Sequence, residues 1–153
     1  MRRMKSFRHL LMLGVCILAS GCNDNHLPEY WVCTGRTIQQ ASLNTTGEVR
    51  EYSGHETMLI ERLGNMVTQY TSKPFTGVFQ TCEDSPETLQ FQLGECGRER
   101  NQDQKWNRSA VLNKKSGELL WTESRVLDQM LIKGAGKFSC AYYHHRYPAR
   151  VFY

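Results

Sequence analysis

A chain of 153 residues with 19 Lys and Arg, 15 Asp and Glu and a formal net charge of +4 has the size of one domain with one core. The positive excess sits in the first eight residues (Arg2, Arg3, Lys5, Arg8), ahead of a nine-residue apolar stretch, Leu10 to Leu18, and the small residues Ala19, Ser20 and Gly21. This is the three-part pattern of an export signal, too short for a permanent membrane span. With residues 1–21 removed, basic and acidic residues balance, which excludes the basic footprint of a nucleic-acid binder.

Leu18-Ala19-Ser20-Gly21-Cys22 resembles the lipobox of bacterial lipoproteins, with Ala19 where the usual box has Leu. The resemblance implies cleavage between Gly21 and Cys22, acylation of the Cys22 thiol, and membrane attachment through several acyl chains, palmitate among them, which together anchor stably. The competing reading is an ordinary secretory signal cut near Ser20, with Cys22 left for a disulfide. Asn23 follows the cysteine where an inner-membrane retention signal commonly has aspartate, so the expected location is the periplasmic face of the outer membrane. The expected organisation is a signal peptide over 1–21, a lipidated cysteine and short tether over 22–29, and a single periplasmic domain over 30–153. Seven tether residues span at most about 25 Å, holding the domain close to its membrane.

Four cysteines then remain: Cys33, Cys82, Cys96 and Cys140. In an oxidising compartment they read as two disulfides with three possible connectivities. The simplest pairing is Cys82 with Cys96, closing a short loop worth roughly 3 kcal/mol, and Cys33 with Cys140, closing a loop of about 100 residues worth roughly 4.7 kcal/mol. No Cys-x-x-Cys pair is present, so neither a zinc site nor a thioredoxin-like redox role is indicated.

Tyr30-Trp31-Val32-Cys33-Thr34 is β-prone and places Trp31 and Cys33 on one face. Ala41 to Gly54 is polar, consistent with a loop or an exposed hairpin. Thr57 to Tyr70 reads either as one amphipathic helix or, favoured by Gly64-Asn65 between two apolar runs, as a hairpin. Phe75 to Cys82 and Thr88 to Leu93 form a further hairpin, with Leu89, Phe91 and Leu93 alternating against Gln90 and Gln92. Gly97 to Arg108 reads as an exposed connection. Ser109 to Asn113 and Glu118 to Glu123 flank a turn in which Gly117 supplies the left-handed residue. Arg125 to Lys133 is a strand or one helical turn, punctuated by Gly134-Ala135-Gly136. Lys137 to Tyr147 is the last strand. Successive hairpins without a long helix predict an all-β fold, a small antiparallel β-barrel or sandwich.

Signs of chemistry are sparse. His144 and His145 are neighbours in a strand and point to opposite faces, His26 lies in the tether and His55 stands alone, so no metal site is expected. No nucleophile elbow, zinc-protease motif or phosphate loop occurs, so no catalytic residue and no cofactor are assigned. The second half of the chain is basic (Lys105, Arg108, Lys114, Lys115, Lys133, Lys137, Arg146, Arg150) and the first acidic, which suggests a dipolar domain or, less simply, a basic surface for an anionic partner. The aromatics Tyr142, Tyr143, Tyr147, Phe152 and Tyr153 are either closing-strand core and terminus or a ligand-stacking surface.

The placement of Tyr30, Cys33 and Cys140 in a small β-barrel is similar to that in the membrane-bound inhibitors of c-type lysozyme. That family's inhibitory loop finds only Ser116-Gly117 here, followed by Glu118 without the downstream tyrosine, so no site residue is carried over. The expectation from sequence is a monomeric, lipid-anchored envelope protein that binds a partner or maintains the envelope without catalysis. The alternatives are a small-ligand or glycan carrier with a barrel cavity, or a lysozyme-inhibitor-like protein.

Overall fold

The structure, a computed structural model, describes residues 27–71, 77–97 and 106–143. They form eight antiparallel strands in chain order: β1 Glu29–Leu43, β2 Val49–Leu63, β3 Met66–Thr71, β4 Gly77–Asp84, β5 Thr88–Gln92, β6 Trp106–Asn113, β7 Glu118–Leu127 and β8 Met130–Tyr143. Each pairs with its sequence neighbour, and β8 pairs back on β1, closing an up-and-down barrel. Closure removes both sheet edges, the device by which all-β domains of this size avoid edge-to-edge association.

The alternation that marked the strands also fills the interior. Trp31, Cys33, Met58, Ile60, Val67, Phe79, Leu89, Phe91, Ala110, Leu112, Leu119, Trp121 and Phe138 form one buried cluster. Most of their immediate neighbours in β4–β7, among them Gln80, Gln90, Thr122 and Ser124, fall on the outward face. Two glycines make room for the Phe138 ring: a Cβ on Gly35 would lie 2.7 Å from Phe138 Cδ1, and one on Gly136 2.5 Å from Phe138 Cε2. Both expected disulfides are present, Cys33–Cys140 across the β1–β8 seam and Cys82–Cys96. The register of β4 against β5 shifts between Thr81 and Glu83, and this bulge carries Cys82.

The hairpin reading of Thr57 to Tyr70 is correct, with Gly64 at φ 59° between β2 and β3, and Gly117 at φ 70° turns β6 into β7. Ala41 to Gly54 is an exposed hairpin. Three local expectations need correction. Trp106 to Arg108 opens β6 rather than ending an exposed connection, because both side chains turn into the barrel. Gly134-Ala135-Gly136 does not interrupt the chain: β8 runs through it, the missing side chains leaving room for Trp121 and Phe138. Arg125 to Lys133 contains the tight β7–β8 turn, with Asp128 at φ 52°.

Candidate functional site

An up-and-down barrel has two unlike ends. At one, the base, lie the start of β1, the end of β8 and the turns β2–β3, β4–β5 and β6–β7. At the other, the mouth, lie the remaining connections. The mouth is lopsided. β1 and β2 are 15 residues long and β8 is 14, whereas β3 ends at Thr71 and β5 at Gln92. Among the described residues, therefore, the strands of the β2–β1–β8–β7 wall reach further than those on the β3–β5 side.

A polar floor separates the mouth from the apolar interior. Glu123 in β7 has a side chain only 1% exposed, and Arg108 in β6 one 11% exposed. Arg108 donates through Nε and Nη2 to Glu123 Oε2, at 3.2 and 2.7 Å, and through Nη1 to Gln69 Oε1 at 3.4 Å. Gln39 Nε2 donates to Glu123 Oε1 at 3.0 Å. Gln39 and Glu123 are both register partners of Gly134, so their bond crosses over β8 where no side chain intervenes. A Cβ on Gly134 would lie 3.0 Å from Glu123 Cγ and 3.2 Å from the Trp121 ring. The guanidinium stacks on two indoles, 5.4 Å from the Trp106 centroid and 5.2 Å from that of Trp121. Gln69 Nε2 meets Met58 Sδ at 3.5 Å, joining the floor to the core beneath it.

Glu123 Oε2 accepts twice from Arg108 and Oε1 once from Gln39, so the carboxylate is held in place through both of its oxygens. Above the floor the tall wall presents Tyr52, Leu127 and Met130 together with the cations Arg50 and Arg125, by strand parity on the same face as Gln39 and Glu123. This suits an amphipathic partner rather than a small buried one.

The described basic residues of the second half are spread over different surroundings: Arg108 is interior beside Glu123, Lys137 pairs with Glu118, and Lys114 and Lys115 pair with Asp84 and Glu87 of the acidic first half. His55 lies exposed in β2. Among the described residues no group of three His, Cys, Asp or Glu is placed to hold a metal ion. Tyr142 packs against Trp31 with ring centroids 5.1 Å apart, and Tyr143 is partly exposed beside it. Gly21, Cys22, His26, Lys105, His144, His145, Arg146, Tyr147, Arg150, Phe152 and Tyr153 lie outside the described residues.

The floor itself was not anticipated. Its one sequence signal is Arg108, Ala110 and Leu112 alternating in step with Leu119, Trp121 and Glu123 across a hairpin, a charge of each sign at the same end of two apolar rows. The chain matches no protein-family model and none of the curated proteins.

Proposed function

We propose that this protein is a lipid-anchored binding module of the bacterial cell envelope, held at the membrane through Cys22 and presenting the barrel mouth away from it to an envelope partner, without catalysis. The observation that carries this reading is the polarity of the barrel. The chain enters at the base with Glu29, seven positions after Cys22, while the tall wall and the polar floor lie at the opposite end. A tether of about 25 Å at most keeps the base near the bilayer and leaves the mouth facing the aqueous compartment. The interior is apolar where a membrane-spanning barrel is polar, and the outward faces mix polar residues such as Gln80, Gln90, Thr122 and Lys133 with exposed apolar ones such as Ile38, Val78, Val111 and Leu120. Among the described residues no helix is long and apolar enough to cross a membrane.

Two measurements test the reading. Wild-type protein should incorporate labelled palmitate and partition with the membrane, and Cys22→Ser should abolish both; labelling that survives the substitution overturns the anchor. A photo-crosslinking side chain at Leu127, exposed on the mouth wall, should give a discrete adduct in cells, and one at Leu120, equally exposed on the flank, should not. Equal adducts at both positions, or none at Leu127, would remove the mouth as the binding face.

A second reading rests on a specific surface. The Ser116-Gly117 turn lines an open depression together with Thr34, Glu118, Lys137 and Ser139, and is fixed there by the Cys140 N–H donating to Gly117 O at 2.7 Å. Inhibition of c-type lysozyme by the protein, lost on Ser116→Trp, would support it; full lysozyme activity at saturating protein would dismiss it.

A further inference from the structure

A hairpin tip projects into its surroundings, and tips that meet water are built from polar residues. The β2–β3 turn departs from this. Gly64-Asn65 is flanked by Leu63 and Met66, which oppose each other in register and are 47% and 56% exposed. Ile60 and Val67 of the same strands belong to the buried cluster, so alternation turns Leu63 and Met66 outward, off the core. The turn is fixed against β4, with the Thr81 N–H donating to Asn65 O at 2.9 Å. Both side chains are therefore presented on a held backbone.

The other turns of the base are unlike it. Asp84-Ser85-Pro86-Glu87 and Lys114-Lys115-Ser116-Gly117 carry charge and are tied to each other through Lys114–Asp84 and Lys115–Glu87. The apolar turn is also the one beside the point where the chain enters the barrel, since β2 pairs directly with β1 and Arg62 lies opposite Glu29. Leu27, two residues ahead of β1, is 57% exposed. Cys22 precedes it by five residues, a reach of at most about 18 Å.

We infer that Leu63 and Met66 form a foot that seats in the interfacial region of the bilayer, beside the tether. The inference rests on the membrane anchor proposed above and adds to it a direct contact between the folded domain and lipid. Single exposed apolar residues are ordinary on a soluble surface. An opposed Leu and Met at a turn, at the tethered end of the domain, make a wedge that can enter the headgroup–acyl boundary to about 5–10 Å. The charges next to the turn do not oppose entry as bare ions. Glu61 accepts from Tyr30 Oη at 3.3 Å and Tyr70 Oη at 2.6 Å, and Arg62 is paired with Glu29 and Asp84. The contact thus draws on apolar area and not on headgroup charge, and a neutral lipid suffices. Because acyl chains already attach the protein, the foot orients it. In the closed ring β2–β3 lies across from β6–β7, so seating the foot leans the barrel toward β2–β3 and lifts the β6–β7 side from the lipid.

The test uses the full-length acylated chain in phosphatidylcholine vesicles, with one added cysteine carrying a nitrobenzoxadiazole probe. At Met66→Cys the emission should shift to the blue and be quenched by lipids spin-labelled high on the acyl chain. Probes at Leu120→Cys on the flank, Leu127→Cys at the mouth and Pro86→Cys in the neighbouring base turn should report water. Leu63→Asp in the Met66→Cys background should return that probe to water while the protein still floats with the vesicles. Protein that does not float removes the anchor and this inference with it. Floating protein whose Met66 probe reports water overturns the foot and leaves the anchor standing. Equal quenching at Met66 and Pro86, or quenching that survives Leu63→Asp, does the same, since either would mean a base merely held near the surface. A Met66 probe shielded in native membranes but wet in protein-free vesicles would assign the turn to a protein partner and overturn the foot as well.

Discussion

The base and the mouth of this barrel solve one problem in different ways. Each must stop water from entering an apolar interior, and each does so with an arginine paired to acid: two carboxylates at the base, one at the mouth. At the base Arg62 lies between Glu29, at 2.6 Å, and Asp84, and Asp84 also meets Lys114. Tyr142 Oη donates to Glu29 Oε1 at 3.2 Å. The three side chains Arg62, Glu29 and Asp84 remain between 16 and 27% exposed. At the mouth one guanidinium and the Gln39 carboxamide serve one sealed carboxylate, and Gln69 accepts from the same guanidinium. The base spreads its charge over several partners that water still reaches; the mouth concentrates it. Short turns and paired strand ends let the base be a rigid lid, whereas the mouth carries an uneven wall and a floor that only sequestered groups can hold.

The disulfides probe this contrast at the largest scale. Cys33–Cys140 joins β1 to β8 toward the base with a separation of 107 residues, and Cys82–Cys96 ties the connection after β5 to the outside of β4 with a separation of 14. Cys33→Ala with Cys140→Ala should cost about 4–5 kcal/mol in urea unfolding, and the Cys82→Ala, Cys96→Ala pair roughly 3. A reversed order would mean that the mouth, not the seam, governs the stability of the closed barrel.

Next comes the contrast between the two arginines. Arg108→Ala leaves Glu123 buried without its counter-charge and should cost about 3–5 kcal/mol. Replacing Glu123 as well, by Gln, should recover much of that loss, since the uncompensated charge is gone. Arg62→Ala should cost less, because Glu29 and Asp84 are partly solvated and Asp84 keeps Lys114. Equal losses at the two ends, measured by urea midpoint, would remove the distinction between a concentrated and a distributed plug.

A smaller effect isolates the crossing over β8. Gly134→Ala inserts a methyl 3.0 Å from Glu123 Cγ and 3.2 Å from Trp121, beneath the Gln39–Glu123 bond. The expected loss is about 1–3 kcal/mol. Gln39→Ala combined with it should add less than its own single cost, since both act on the same bond. Strict additivity would show that the glycine serves backbone packing alone.

Much of the fold is written in local signals. Gly64 and Gly117 mark turns because those backbones need positive φ, and Leu89 and Phe91 mark β5 because their neighbours are wet. Of the three connectivities open to four exported cysteines, the simplest is the one present. The upper half of β2 is harder to read, because a stretch exposed on both faces has no period to detect. Gly134 and Gly136 looked like punctuation because sequence alone does not show that an indole and a phenyl ring need the space they leave. Arg108 looked like surface charge because its partner Glu123 is recognised only when β6 and β7 are in register.

The mildest perturbation is pH, and it acts on the base. Burial, and after it the charge of Glu29 and the hydrogen bond to it, raise the Tyr142 phenol above its ordinary value of 10.0. The folded chain therefore holds this proton more tightly than the unfolded chain does. The contribution is fully present below about pH 10 and is lost as pH rises through the folded value, because the unfolded state then gains by releasing the proton. Tyr142→Phe removes the titrating group along with its bond to Glu29. It should lower stability slightly at neutral pH and flatten the alkaline decline, so that the variant and the wild type converge at high pH. Urea midpoints at neutral pH and above pH 10 would check this. Parallel curves would show that Tyr142 is not part of what holds the base closed, and would leave Arg62 with its two carboxylates and Lys114 as the whole of the lid.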